Sequence, residues 1–476
     1  ALADDLREAL TSAYNTNPAL QAARATQRAT DEGVPLARAR ALPSLSGQAN
    51  YTEFLKKNPV AFTAPDRAVT ADVNLGLPVY SGGSVKNAIR AAKTRVEAGQ
   101  EDLRATESGV FSQVVAAYMD VIRDSAIVEL NARNVSVLET NKRASQDRFQ
   151  IGDLTRTDVA QSEARLELAR GQLELAQSQL VTSLENYLRF VGVPAHDLEQ
   201  PPELPGLPRT VEAALATAVD NNPLLVAAKA DAAATRYDIR VAEAARLPRL
   251  SAVTSSNYNN YLGSLVSTIP GRSFLQAQRT ATVGLSATIP LYQGGLPAAQ
   301  VRRAQALSSQ SLEQIVFVER RVVAETRAAF TRHRATERVI RSSQAAVSAN
   351  DLALEGVRAE NSVGTRNVLD VLNAEQELLN SRTTLVTAQR DAYVASFALL
   401  AAMGRAEARD LGLFGGELFQ PRLRDRLPSA PSFRDGSYGP ADLPPSAEPR
   451  SAGAASVTGE LFELGEAPAS KPGTPR

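Results

Sequence analysis

The chain carries two hydrophobic rhythms. From Val69 to Val79 the apolar positions alternate: Val69, Ala71, Val73, Leu75, Leu77 and Val79 are separated by Thr70, Asp72, Asn74, Gly76 and Pro78. The same beat returns as Ala281, Val283, Leu285, Ala287, Ile289 and Leu291, with Thr282, Gly284, Ser286 and Thr288 between them. A period of two over about ten residues predicts a strand with one apolar and one polar face. Leu45 to Phe54 and Leu250 to Leu262 alternate less cleanly and are the expected partner strands. A soluble two-faced sheet fits this pattern. So does a membrane-spanning one, because about ten residues is the length of a strand that crosses a bilayer.

The second rhythm is helical. Ser84 to Gln150 contains no Pro. A helix of that length extends about 100 Å and must be packed along its whole course. Val110, Val114, Ala117 and Val121 form one stripe on it; Phe111, Val115, Tyr118 and Ile122 form an adjacent one. Two stripes predict neighbours on both sides. The following helix, Thr157 to Val191, carries heptad seams: Val159, Leu166, Leu173, Leu180 and Tyr187, beside Ser162, Ala169, Ala176, Ser183 and Phe190. The same arrangement recurs as Val371, Leu378, Leu385, Ala392 and Leu399, beside Ala374, Ser381, Ala388, Ala395 and Ala402. Such seams imply a left-handed supercoil, and the simplest partner is the long helix just before the turn.

These rhythms occur twice because the chain is duplicated. Asn17-Pro18 and Pro43 recur as Asn222-Pro223 and Pro248, a shift of 205 residues. "LPVYSGG" (Leu77 to Gly83) recurs as "IPLYQGG" (Ile289 to Gly295), now shifted by 212. The expected organisation is a first repeat over 1–207, a second over 208–415, and a tail over 416–476. Each repeat reads helix, two strands, long helix, turn, helix, and the Pro-rich "PPELPGLP" joins them as a stiff linker. One helix is expected from Val211 to Arg246, about 54 Å long. Set end to end with the outgoing helix, it would cover one long helix. In the first repeat Gly33 and Pro35 should kink or split its counterpart.

The turns between long helices carry the candidate chemistry. Gly152 and Gly364 fit the left-handed position that ends a helix. Thr155 with Asp158, and Asn367 with Asp370, then fit the first and fourth positions of a capping box. Capping alone accounts for both aspartates. A functional alternative needs assembly: in a symmetric oligomer each turn becomes a ring, and a ring of aspartates at a pore mouth selects cations.

Composition narrows the classes. Lys plus Arg and Asp plus Glu are both 52, which argues against a basic nucleic-acid surface. Cys is absent, so there is no disulfide, thiolate metal site or thiol nucleophile. His196 and His333, the only histidines, read as exposed helix or loop residues. No phosphate-binding glycine loop and no catalytic constellation is evident, so neither an enzyme nor a cofactor is expected. The start "ALADDLREAL" fits an exported protein whose signal has been removed. Phe397 to Met403 is the longest strongly apolar run, far short of the roughly 20 residues of a spanning helix. Membrane insertion, if any, must use strands. Four strands cannot close a barrel, so several chains would have to pool them: eight from two chains, twelve from three.

The duplicated unit, the paired "LPVYSGG" and "IPLYQGG", and the turns "IGDLTRTDVAQSEARL" and "SVGTRNVLDVLNAEQELL" resemble the TolC family of outer-membrane channel proteins over about residues 5–415. The resemblance implies a mainly α fold with a small β part. It implies a homotrimer whose coiled-coil hairpins form an α-barrel across the periplasm, fused to a twelve-stranded barrel in outer-membrane lipid, four strands per chain. It also implies an exit duct for a tripartite efflux pump or type I secretion system. The partners would be a periplasmic adaptor protein and an inner-membrane transporter, with no nucleic acid. By the same resemblance Thr157 and Asp158 match positions that hold the periplasmic tip shut, and Arg366 matches their arginine partner. Asp370 and Asn373 match the two aspartates of the entrance constriction, the second being Asn here. The tyrosine usual before "SVGTR" is Asn361. The rival reading is a soluble periplasmic coiled-coil adaptor or scaffold, which shares the hairpins but needs no lipid-length strands. From Pro421 onward the chain holds ten of its 26 prolines and reads as a disordered tail, with "ELFEL" (Glu460 to Leu464) as a candidate docking motif.

Overall fold

A computed structural model describes residues 5–56, 65–265 and 271–413. The tail expected over 416–476, with its "ELFEL" motif, lies outside the described residues. The first half of the chain runs α1 (Leu6–Thr16), α2 (Pro18–Asp31), α3 (Gly33–Ala39), β1 (Ser44–Glu53), β2 (Arg67–Tyr80), α4 (Ser84–Gln150) and α5 (Arg156–Val191). The second runs α6 (Val211–Asn221), α7 (Pro223–Glu243), β3 (Arg249–Asn260), β4 (Ala277–Thr288), α8 (Leu296–Ser362) and α9 (Val368–Ala402).

The strands form one antiparallel sheet in the order β1-β2-β3-β4. Its register sets Tyr51 opposite Val69, Leu75 opposite Thr254, and Ala252 opposite Leu285. Leu45, Val73, Leu75, Leu77, Val283 and Leu285 therefore share a face, and all are exposed. The opposite face carries Gln48, Asp72, Asn257, Thr280 and Thr282. There Asn257 donates to the Asp72 carboxylate and Ser255 shares a hydrogen bond with Thr282 at 3.0 Å. The alternation expected through Leu291 stops at Thr288. Pro290 has no N–H to give a ladder, and the chain leaves the sheet before it. In β2 the equivalent Pro78 is kept, at the cost of a register shift between Pro78 and Tyr80.

The long helix α4 is the spine. Both predicted stripes are buried or half-buried, and Phe111, Val114, Val115 and Tyr118 are sealed off from solvent. These residues form the main core with Leu10, Tyr14, Tyr187, Phe397 and Leu399 from α1, α5 and α9. α5 folds back on the C-terminal half of α4, where Ser183 donates to Asp124 at 2.6 Å and Ser145 meets Ser162 at 3.1 Å. α7 lies on the N-terminal half, where Arg95 pairs with Asp238. The end-to-end arrangement read from lengths is therefore present.

The single helix expected over Val211 to Arg246 is broken. α6 stops at Asn221, α7 starts on Pro223, and a 3-10 turn closes the run at Ala244–Arg246. Pro at the first helical position needs no partner for its missing N–H, so both sides keep helical periodicity while the chain bends. Asn222 makes the joint. Its side chain accepts from the Leu224 amide at 3.1 Å and donates to the Ala402 carbonyl at the end of α9, at 3.0 Å. Asn17 repeats the device, accepting from Ala19 at 2.9 Å and donating to Phe190 at the end of α5, at 2.9 Å. Gly404 is packed so tightly here that an added Cβ would lie 2.3 Å from the Asn221 carbonyl oxygen. The split expected at Gly33 and Pro35 separates α2 from α3.

His333 also differs from expectation. It is buried on α8 and its Nδ1 lies 3.0 Å from the Ser396 hydroxyl of α9. It faces the hairpin seam, so it is a packing residue and not a surface one.

Candidate functional site: the helical turns

Each turn is built the same way. Gly152 and Gly364 both have φ of 83°. Their amides bond to Phe149 and Asn361 carbonyls, and the next amides, of Asp153 and Thr365, reach back to Arg148 and Glu360 carbonyls at 2.9 and 3.0 Å. This pairing satisfies carbonyls that the end of a helix leaves bare. The restart is a full capping box in both copies. Asp158 Oδ2 accepts from the Thr155 amide at 2.9 Å and from the Thr155 hydroxyl at 2.7 Å. Asp370 accepts from the Asn367 amide at 3.4 Å and donates its own amide to Asn367 Oδ1 at 2.8 Å. The Thr155 hydroxyl, then the backbone N–H, hold the Asp158 carboxyl below the ordinary value of 3.8.

Thr157 is exposed one residue before Asp158. Arg366 is exposed too, but it is engaged in its own turn: Nε donates to Glu360 at 2.8 Å, and Nη1 stands 4.0 Å from Asp370. Among the described residues no hydrogen bond or ion pair within one chain joins Arg366 to Thr157 or Asp158. Asn361 donates to the Arg366 carbonyl at 2.8 Å. It thereby shapes the turn from inside.

The structure adds residues that sequence reading missed. Arg165 of α5 donates to Asn373 Oδ1 at 2.7 Å, linking the two hairpins of one chain. Two residues on, Glu375 is buried; it accepts from Asn141 of α4 at 3.0 Å and pairs with Arg358 of α8 at 3.0 Å. Leu372 packs in one apolar cluster with Leu138, Leu166 and Ala169, flanked by Val135 and Val368. A sequence signal for this existed. Leu372, Glu375 and Leu379 make a second stripe on α9, one position beside the heptad seam, and a second stripe calls for a second neighbour.

Among the described residues no group of three or more His, Cys, Asp or Glu side chains is placed to hold a metal, and no helix is long and apolar enough to cross a membrane. The four-stranded sheet has two open edges and one exposed apolar face. A sheet of this kind is incomplete in lipid until further strands close it. Two capped helical hairpins joined to such strands define a subunit of an outer-membrane channel.

The chain belongs to the outer membrane efflux protein family, whose profile matches residues 9–193 and 214–405. It is 33% identical over 415 residues to the outer membrane efflux protein BepC of Brucella suis biovar 1 (strain 1330), covering 87% of this chain and 88% of BepC. Against the outer membrane protein TolC of Escherichia coli (strain K12) the identity is 25% over 470 residues, covering 94% and 93%. The fold matches the crystal structure of the Campylobacter jejuni CmeC outer membrane channel with a TM-score of 0.71, covering 84% of this chain and 85% of that one at 18% identity.

Proposed function

We propose that the chain is one third of a homotrimeric exit duct for a tripartite efflux pump or type I secretion system. Three sheets of four strands supply a twelve-stranded barrel in the outer membrane, and the hairpins extend into the periplasm. The observation that carries this reading is the register of the sheet. It gathers Leu45 of β1, Val73, Leu75 and Leu77 of β2, and Val283 and Leu285 of β4 on one exposed face while both edges stay open.

The gate is the ring of helical turns. Asp158 Oδ2 is committed to Thr155, which leaves Oδ1 for a neighbouring copy. Thr157 stands beside it, and Arg366 on the adjacent hairpin is the cation it would meet. Asp370 lines the constriction with Asn373, so one charged and one neutral position per chain face the opening. The duct does no chemistry. Energy comes from an inner-membrane transporter, coupled through a periplasmic adaptor docked at the turns, and opening is a shift between two arrangements of the hairpins.

Extraction and reconstitution test this. A detergent-requiring trimer that gives stepwise conductance in planar bilayers supports the duct. A water-soluble monomer without conductance refutes it.

A further inference from the structure

We infer that Arg279 and Tyr258 form a site for a phosphate group of the glycolipid that builds the outer leaflet of an outer membrane. The site lies on the lipid-facing side of the sheet, so the inference rests on the barrel proposed above. It gives a ligand to residues that the duct itself leaves without a task.

All four strands meet their helices at one end of the sheet, at Ser44, Tyr80, Arg249 and Thr288. In the proposed duct that end faces the periplasm, and the opposite end faces outward. On the apolar face the strands place three charged residues, Glu53, Arg67 and Arg279, and all three lie at the outward end. Tyrosines mark both ends of this face: Tyr80, opposite Leu250, at the helix end, and Tyr51 and Tyr258 at the other. Tyr258 is level in the register with Ala71, nine residues from Tyr80 along β2. Nine residues of strand span about 30 Å, or roughly 23 Å of membrane at a tilt of about 40°, close to the apolar band that such barrels carry between their aromatic girdles. Arg279 therefore sits at the outer headgroup level, where a cation on the lipid face costs little.

The three charges are not alike. Arg67 stands directly opposite Glu53, a cross-strand pair of opposite sign. Arg279 stands opposite Tyr258 instead, with its guanidinium carbon 5.3 Å from the ring centroid. Arg279 is exposed, and among the described residues no carboxylate pairs with it. The ring beneath it is held in place, because the Tyr258 hydroxyl accepts from Asn260 at 2.9 Å. Stacking on a ring fixes the plane of a guanidinium and leaves its N–H edges pointing outward. A fork so held matches two oxygens of one phosphate. On a face turned to lipid, that anion has to come from the bilayer surface. The outer leaflet supplies it, since the lipid A that anchors its glycolipid carries phosphates at the base of the sugar headgroup. At the helix end of the same face the strands place no cation, so the site suits the outer leaflet alone.

Native mass spectrometry of the full chain, purified in detergent, stripped of lipid and incubated with lipid A, counts the lipid that each assembly retains. Wild type should hold one bisphosphorylated lipid A per copy, and Arg279→Ala should weaken retention about tenfold, the loss expected of one charge-assisted pair. Arg279→Lys, a point charge without the fork, should fall between the two, and Tyr258→Leu should weaken retention while keeping the charge. Lipid A stripped of its phosphates should bind wild type no better than bisphosphorylated lipid A binds Arg279→Ala. Inorganic phosphate at the same concentration should not displace the lipid. Equal retention by wild type and Arg279→Ala, or equal retention of the stripped lipid, overturns the site. Displacement by inorganic phosphate overturns the lipid as its ligand. Retention that appears only in Glu53→Gln assigns Arg279 to Glu53 of the neighbouring copy and overturns it too. Conductance in planar bilayers tests the barrel separately. A conducting trimer without phosphate-dependent retention overturns the site alone, whereas a water-soluble monomer overturns the barrel with it.

Discussion

Asp158 is assigned two tasks, and they can be separated. It caps α5 through Oδ2, and it is proposed to bond a neighbouring copy at the gate. Thr155 shares only the first task. Thr155→Ala removes the hydroxyl that donates to Asp158 at 2.7 Å and accepts from its amide at 3.3 Å. Asp158→Ala removes the acceptor of that hydroxyl and of the Thr155 amide. Each change should weaken the cap by about 1 kcal/mol, which frays the first turn about fivefold. Hydrogen exchange of the α5 amides just after the turn reads this directly and should rise alike in both variants. Closed-state conductance in planar bilayers should rise only in Asp158→Ala. Asp158→Asn, which keeps an acceptor but loses the charge, should fall between. The sign with pH follows from the depressed Asp158 pKa. The folded carboxyl sits below the unfolded value, so its contribution is complete above about pH 4 and is lost as pH falls through the folded pKa. A Thr155→Ala channel as leaky as Asp158→Ala would refute the direct gate role and leave fraying as the cause.

Further outcomes are expected elsewhere. Arg366→Ala should raise closed-state conductance, because its pairs with Glu360 and Asp370 shape the turn that presents it; unchanged closed-state current would count against it as a gate partner. Asp370→Ala should reduce cation selectivity, read as a smaller reversal potential in a salt gradient. Arg165→Ala should do the opposite, since it strips a positive charge from Asn373 beside the constriction. Away from the gate, Arg104 donates from Nε to both oxygens of the buried Glu407 at 2.8 Å. Arg104→Ala leaves that buried carboxylate only the longer pair with Arg409 at 3.6 Å and should cost about 3 kcal/mol, while Glu407→Ala leaves a part-exposed Arg104 beside Glu101 and should cost about 1 kcal/mol. Hydrogen exchange of residues 403–413 should show that order.

Local structure was legible where neighbouring residues decide it. Both glycine turns and both capping boxes depend on a few adjacent residues, and "GDLTRTD" and "GTRNVLD" contain the glycine and the cap of each. The heptad seams named their partners because a helix after a tight turn has few places to go. The break at Asn222-Pro223 was hidden because Pro at a helix start preserves the apolar period on both sides. The depth of His333 was hidden because a lone polar residue on a long helix does not declare its face. Arg165 and Asn373 are the hardest case. They are 208 residues apart and both look like solvent residues, so only the packing of one hairpin on the other makes them a pair.

The two Asn-Pro joints have a mechanical consequence. Each fixes the far end of a returning helix by a side-chain bond to its last carbonyls, and each lies about 54 Å from the turn if α5 rises 1.5 Å per residue over its 36 residues. The hairpins are thus levers with their fulcrum at the joint. A tilt of about 5° there, no more than a helix absorbs by bending, carries the turn sideways by about 5 Å at that lever length. In the proposed trimer, such levers arranged around one axis would open or close an aperture by a full side-chain width each, while the joint and the strands beyond it stay at rest.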